Sequence, residues 1–397
     1  MKFKKLLCVF LTALMLLSPV NVYATDYTYP TDDGAINTSL DQSVEGNEFD
    51  CKSAILMEAN TGKILYTQNA DEALPPASVT KVMTLLLVME AIDAGKIKLT
   101  DSVSVSEHAA SMGGSQIFLK VGEEMSVEDM LKSVVIASAN DAACALAEFV
   151  CGSEGTFVEQ MNAKAKSLGM KNTHFENTNG LDDTAQNHVT SARDIAIMSR
   201  ELIKHKKILE YSSIWMDTVR NGAFGLTNTN RLVRFYKGCT GLKTGSTDKA
   251  GFCISATAER EGVSLICVIM GAPTRDVRNS IATKLLDRGF ANFEMYSVKG
   301  DVLADIPIKG AMNDFTQGSF EKFTYLAPKG SASKITRSII INDNLCAPLV
   351  KGDVIGRVVY LLDGKEIGSV DIVACNDEKK IQYFDLFLRG ISRYFLK

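Results

Sequence analysis

Gly238–Met270 reads GCTGLKTGSTDKAGFCISATAEREGVSLICVIM. Two runs in it, Gly251–Thr257 and Val263–Met270, are apolar and rich in β-branched residues. Glu259-Arg260-Glu261-Gly262 between them is polar and glycine-closed, so the pair predicts a β-hairpin. Near the other end of the chain, Ser53–Met57 and Lys63–Tyr66 flank Asn60-Thr61-Gly62 and predict a second hairpin. The sequence between them has helical character. Residues 78–94 are apolar nearly all round, which fits a buried helix stopped by Gly95. Ser126 with Asp129 resembles a capping box opening a helix towards Ser138. Thr190 is expected to cap another helix through Ile195, Met198 and Leu202, and a further helix spans about Arg275 to Phe290. Strands at both ends with helices between predict an α+β sandwich whose first and last strands share a sheet.

The remaining segments divide the chain. Residues 1–24 carry Lys2, Lys4 and Lys5, an apolar run from Leu6 to Leu17, and Val22-Tyr23-Ala24, the pattern of an export signal peptide. Residues 25–50 are polar and read as a flexible spacer, and 51–297 hold the sandwich. From 298 to 375 the texture is of short alternating strands, with Asp363-Gly364 suited to a type I′ hairpin turn, so a small all-β domain is expected. In 376–397, Ile381, Phe384, Phe387, Leu388, Ile391, Tyr394 and Phe395 recur at helical spacing among Lys and Arg. This predicts an amphipathic helix able to lie on a membrane surface.

Composition narrows the function. The formal charge is −4, and loss of the three signal lysines takes it to about −7, which excludes a nucleic-acid footprint. Of 9 cysteines, eight lie beyond the signal, scattered and without metal-ligand spacing. No cofactor or metal is expected, and the pairing of the cysteines is open at this stage.

Three short motifs carry the chemistry. Ser78 follows Pro75-Pro76-Ala77 and precedes Lys81 by three residues, so both share one face of an otherwise apolar helix. Ser78 alone reads as a helix cap, but a lysine on that face needs burial or a depressed pKa. A neutral amine beside a hydroxyl activates it as a nucleophile. Ser138-Ala139-Asn140 falls between two apolar helices; capping explains it, as does a Ser138 proton relay with Asn140 bonding a substrate amide. In Lys243-Thr244-Gly245, Gly245 admits close backbone approach, Thr244 offers a hydroxyl, and Lys243 adds a charge that favours a neutral Lys81. The N–H groups of Ser78 and Ser246 are suited to an oxyanion hole.

In this order the motifs resemble the serine acyl-transfer site of penicillin-interacting enzymes. Residues 51–297 are similar to the low-molecular-mass D-alanyl-D-alanine carboxypeptidases of peptidase family S11. The likeness includes Pro76-Ala77-Ser78, Ser138-Ala139-Asn140-Asp141-Ala142-Ala143, Asn179-Gly180-Leu181, Gly241-Leu242-Lys243-Thr244-Gly245, Thr247-Asp248-Lys249-Ala250-Gly251 and Met270-Gly271-Ala272. The resemblance implies a penicillin-binding-protein/β-lactamase-like transpeptidase fold, an antiparallel sheet with a helical subdomain. It also implies attack by Ser78 on the bond between two terminal D-alanines of a peptidoglycan stem peptide, with Lys81 as base. By family position Thr244 and Arg278 contact the substrate carboxylate, and β-lactams acylate the same serine. The chain departs from many relatives at Cys239-Thr240-Gly241, where they carry Asp-Gly, and they vary at the Ser246 position.

Two alternatives remain at this level. A class A β-lactamase needs a water-activating Glu with an Asn four residues on; Glu176 is the candidate, but position 180 is Gly. A catalytically silent penicillin-binding sensor would keep the motifs for recognition only. The expected partners are stem peptides ending in D-Ala-D-Ala, β-lactams and a membrane surface, at the extracytoplasmic face of the cell membrane or in the wall.

Overall fold

The computed structural model describes residues 44–182, 185–385, 387 and 391. The signal peptide expected over 1–24 lies outside the described residues, as do residues 386, 388–390 and 392–397 of the expected terminal helix. The chain forms two compact units. One runs to Tyr296 and includes Leu326–Gly330; the other comprises Ser297–Tyr325 and Ser331 onward.

The first unit is built on a six-stranded sheet in the order Val44–Glu45, Ile64–Gln68, Ser53–Glu58, Val263–Ala272, Gly251–Arg260, Cys239–Thr247. The first pair is parallel and the others antiparallel. Both hairpins expected from the sequence are present, and Ser53–Glu58 pairs with Val263–Ala272, joining the two ends of the unit. Glu58, fully buried, sets the early turn: its carboxylate accepts from Thr61 N and Thr61 Oγ1, each at 2.7 Å, and from Asn60 Nδ2 at 3.0 Å.

Strand alternation supplies two cores. Ile55, Met57, Ile266, Val268 and Met270 face one way, against Val82, Leu86, Val134, Leu146 and Ile195. Ala54, Leu56, Leu265, Cys267 and Ile269 face the other way, against Ile281, Leu285 and Leu286 of the helix Arg275–Asn292. Each fully buried aliphatic side chain contributes about 1.5–3 kcal/mol, so the sandwich is held mainly by these two layers.

Lys81–Asp93 is buried all round over its first nine residues and has Gly95, at φ +69°, just past its end. Ser126 caps Val127–Ile136 by accepting from Asp129 N, as expected. The cap of Ala192–Leu202 is Ser191, which accepts from Asp194 N, not Thr190. Thr190 is occupied elsewhere: its backbone pairs with Leu74 and its hydroxyl bonds Thr173.

The spacer reading of 25–50 also needs correction at its end. Val44–Glu45 extends the sheet beside Tyr66 and Thr67, and the Gln68 amide donates to the carbonyls of Phe49 and Cys51. A polar composition did not reveal that a buried Gln68 awaits those carbonyls.

The second unit is a five-stranded antiparallel sheet, in the order Asp301–Pro307, Phe315–Phe320, Lys365–Ala374, Val354–Leu362, Ile335–Ile341. Asp363 and Gly364 have φ of +50° and +80°, the double positive φ of a type I′ turn. Residues 378–381 are not helical: Glu378 and Lys380 bridge to Leu349 and Ala311, and Ile381 N donates to Gly310 O. The helix expected from 376 therefore cannot begin so early. Tyr383–Asp385 are helical, with Tyr383, Phe384, Phe387 and Ile391 exposed. All eight cysteines of the described residues are free thiols, and among those residues no helix is long and apolar enough to cross a membrane.

Candidate active site

Pro75-Pro76 leads into a short 3-10 turn, Ala77–Thr80, on which Ser78 sits half-buried at the mouth of the Lys81–Asp93 helix. Ala77 is held at φ +48°, a left-handed conformation that costs about 1 kcal/mol or more in a non-glycine residue. Two glycines explain how the turn is gripped. A Cβ on Gly245 would stand 2.7 Å from Ser78 N and 2.9 Å from Val79 N. One on Gly180 would stand 1.9 Å from Ala77 O. Backbone from the Lys-Thr-Gly strand and from the Asn179-Gly180 turn thus closes on the serine from two sides.

Lys81 is fully buried. Its Nζ donates to Ser78 Oγ at 2.9 Å and to the Asn179 carbonyl at 2.8 Å. Burial holds its pKa well below the ordinary lysine value, the positive charge of Lys243 lowers it further, and Asp141 opposes both. When Lys81 is neutral, the 2.9 Å contact runs in reverse, and the amine lone pair can accept the serine proton.

Ser138 and Asn140 open the helix Asn140–Cys151, with Ser138 at φ +64°. Asn140 Nδ2 donates to Gly113 O at 2.7 Å. Ser138 Oγ and Asn140 Oδ1 are buried polar atoms with no protein partner among the described residues, an arrangement that suits an incoming ligand. The segment is tied to its surroundings by Asp141, whose carboxylate accepts from Ile117 N and Leu119 N.

Lys243 is buried, with Nζ donating to Thr244 O at 2.9 Å. Burial first, then the charge of Arg278, pushes its pKa down to about 7. Arg278 is not an exposed helix residue: it is buried, and donates to Cys253 O and to Asn279 Oδ1. Thr244 Oγ1 donates to Thr229 Oγ1 at 2.8 Å, and Thr229 N donates to Ile136 O, which links this strand to the end of the helix before Ser138. Ser246 is exposed at the strand end.

No role for the Asn179 carbonyl, Asp141 or Thr229 could be read from the sequence, although Asn179 and Asp141 lie within the runs that carry the family likeness. Glu176, required as water activator by the lactamase alternative, spends its carboxylate on the N–H groups of Gln186 and Asn187. The His, Cys and Glu ligand atoms that converge among the described residues are those of His108, Cys144 and Glu154, within 4.8 Å of one another. There the imidazole and carboxylate already satisfy each other at 2.7 Å, and Glu154 Oε1 is taken by Thr178.

Removing the Lys243 charge tests this electrostatic arrangement. Lys243→Gln takes away a repulsion that keeps Lys81 neutral, so the Lys81 pKa rises. The acid limb of the penicillin acylation rate against pH is expected to move to higher pH. An unmoved limb would show that Lys243 does not act on Lys81.

A two-faced α+β sandwich with a lysine buried beside a serine, and a glycine-opened strand alongside, defines the class of penicillin-interacting serine enzymes. Comparison with known proteins makes this specific. The sequence model of the D-alanyl-D-alanine carboxypeptidases, peptidase family S11, matches residues 40–274, and that of the penicillin-binding protein 5 C-terminal domain matches 290–380. The chain belongs to the S11 family. It is 43% identical over 350 residues to the D-alanyl-D-alanine carboxypeptidase DacF of Bacillus subtilis, covering 86% of this chain and 90% of that one. It is 36% identical over 357 residues to DacC of Escherichia coli, covering 87% and 88%. Penicillin-binding protein 5 of Haemophilus influenzae superposes with a TM-score of 0.74 at 35% identity, over 85% of this chain and all of that one. Cefotaxime-bound penicillin-binding protein D2 of Listeria monocytogenes gives 0.57 at 34% identity, over 62% and 99%.

Proposed function

We propose that this protein removes the terminal D-alanine from peptidoglycan stem peptides through an acyl-enzyme on Ser78. The observation that carries the substrate class is the buried Lys243. Its pKa is pushed down by burial and by the Arg278 charge. Two buried cations side by side, Lys243 and Arg278, favour an anionic ligand, and a peptide's C-terminal carboxylate next to the scissile bond fits.

In this reading Ser78 Oγ attacks the carbonyl carbon of the penultimate D-alanine while its proton passes to Lys81 Nζ. The tetrahedral oxyanion is received by the N–H groups of Ser78 and Ser246. As the C–N bond breaks, a proton moves through Ser138 to the departing amine, and free D-alanine leaves an ester on Ser78. Water then attacks the ester, with Lys81 as base, restoring the serine and releasing the shortened peptide. Asn140 orients the substrate amide, and Thr244 with Arg278 bonds the carboxylate. β-Lactams acylate Ser78 by the same first step.

The address is part of the proposal. Residues 1–24 direct export, and the tail bearing the exposed Tyr383, Phe384, Phe387 and Ile391 rests peripherally on the extracytoplasmic membrane face.

The test is release of D-alanine from a pentapeptide ending in D-Ala-D-Ala, with penicillin labelling followed by mass. The wild type is expected to release D-alanine and to hold a long-lived penicilloyl adduct. Ser78→Ala is expected to lose both, by about 10⁴-fold or more. Rapid penicillin turnover would favour a β-lactamase instead. A folded wild type with label but no release would favour a silent sensor.

A further inference from the structure

We propose that His188 is a positioning residue for the nucleophile: its ring links the Glu176 backbone to the Thr80 hydroxyl, and through that hydroxyl to the Ala77 carbonyl next to Ser78. This deepens the Ser78 acyl-transfer reading and rests on it.

The hydrogen-bond directions are fully determined. Glu176 N donates to His188 Nδ1 at 3.0 Å, so Nδ1 carries no hydrogen and the ring hydrogen sits on Nε2. Nε2 lies 2.7 Å from Thr80 Oγ1 and donates to it. The single hydroxyl hydrogen of Thr80 goes to Ala77 O at 2.9 Å. Thr80 is fully buried, and the ring is buried with its edge towards Phe175. Burial is also the main cause that brings the His188 pKa to about 4. His174 lowers it further, while Glu176 and Asp182, which also face the ring, raise it. A neutral ring is therefore kept at neutral pH. A protonated Nδ1 would point a hydrogen at the Glu176 N–H.

The carbonyl at the end of this chain belongs to Ala77, held left-handed at φ +48°. The segment Glu176–Gly180 reaches the same helix entrance three more times: Thr178 O accepts from Thr84, Asn179 O accepts from Lys81 Nζ, and Gly180 packs on Ala77 O. His188 is the side chain that ties the start of this segment to the turn bearing Ser78. Without it, Thr80 can turn away from Ala77, and the serine loses its fixed distance from Lys81. The cations Lys243 and Arg278 are not part of this chain, so substrate binding is left intact.

The experiment measures kcat and KM on the D-Ala-D-Ala pentapeptide, and the penicillin acylation rate, for wild type, His188→Leu, His188→Gln, Thr80→Val and the His188→Leu/Thr80→Val double variant. His188→Leu and Thr80→Val are each expected to lower kcat and acylation by about 10- to 100-fold, with KM changed by less than about twofold. The double variant is expected to fall no more than about threefold below the worse single, since both remove one connection. His188→Gln, whose amide supplies a donor and an acceptor, is expected to recover about tenfold over Leu. Unchanged kcat in the single variants, losses carried by KM, losses that multiply, or Gln no better than Leu would each overturn the proposal. If His188→Leu fails to fold, an unchanged kcat in folded Thr80→Val does so. A wild type that neither releases D-alanine nor takes the penicillin label overturns the Ser78 reading itself; an active wild type beside inert substitutions overturns only the role of His188.

Discussion

Lys81→Met is expected to yield a folded protein whose penicillin acylation and D-alanine release fall by about 10⁴-fold, a barrier increase of about 5 kcal/mol. Methionine fills the buried volume without an amine, so Ser78 Oγ loses the 2.9 Å partner able to take its proton. Stability should change by no more than about 1 kcal/mol. The Asn179 carbonyl loses one hydrogen bond, but an amine whose charged form is opposed by burial is removed as well. The check pairs urea unfolding with stopped-flow acylation. Retention of more than about a tenth of the wild-type rate would mean that another group takes the proton. The pH profile of the wild type carries the same information. The neutral fraction of Lys81 grows as pH rises through its folded pKa, so acylation should reach its plateau well below pH 10.5.

Gly180→Ala should damage both stability and chemistry. The residue sits at φ +85°, which costs about 1 kcal/mol for alanine, and the added Cβ would lie 1.9 Å from Ala77 O, 2.3 Å from Ala77 C and 2.8 Å from Thr80 Oγ1. Two of these neighbours are backbone and cannot swing aside. Overpacking of this kind adds about 1–3 kcal/mol, so a total loss of about 3 kcal/mol is expected in chemical denaturation. Relief can come only by moving the Ala77–Ser78 turn, so acylation of the folded fraction should also drop by about 100-fold. Wild-type stability together with wild-type acylation would show that the Asn179-Gly180 turn does not press on the nucleophile.

What the sequence made legible has a local physical cause. Hairpins around Asn60-Thr61-Gly62 and Asp363-Gly364 depend on a few adjacent residues, and Ser78 with Lys81 declares itself because a lysine on an apolar helix face is costly. The parts that escaped reading are contacts between distant segments. The carbonyl that holds Lys81 is 98 residues away, and a carbonyl leaves no mark on residue identity. His188 meets Thr80 across 108 residues, so an isolated histidine in a polar stretch gave no sign of burial. Arg278 fits an exposed helix surface by spacing alone, and only the packing of Arg275–Asn292 on the sheet buries it. At Thr190 and Ser191, two adjacent residues both suit a cap, and the strand-like pairing of Thr190 with Leu74 decides between them.

The Lys243 pKa near 7 has a thermodynamic consequence. At neutral pH the ligand-free pocket exists as a near-even mixture of protonated and neutral lysine. An anion entering it favours the protonated form, so capture of a carboxylate is coupled to uptake of a fraction of a proton from solvent. Affinity for the anion therefore weakens as pH rises above 7, whereas Lys81 becomes a better base as pH rises through its own lowered pKa. Binding and chemistry pull in opposite directions along the pH axis, and the working pH of the enzyme is a compromise between two buried amines.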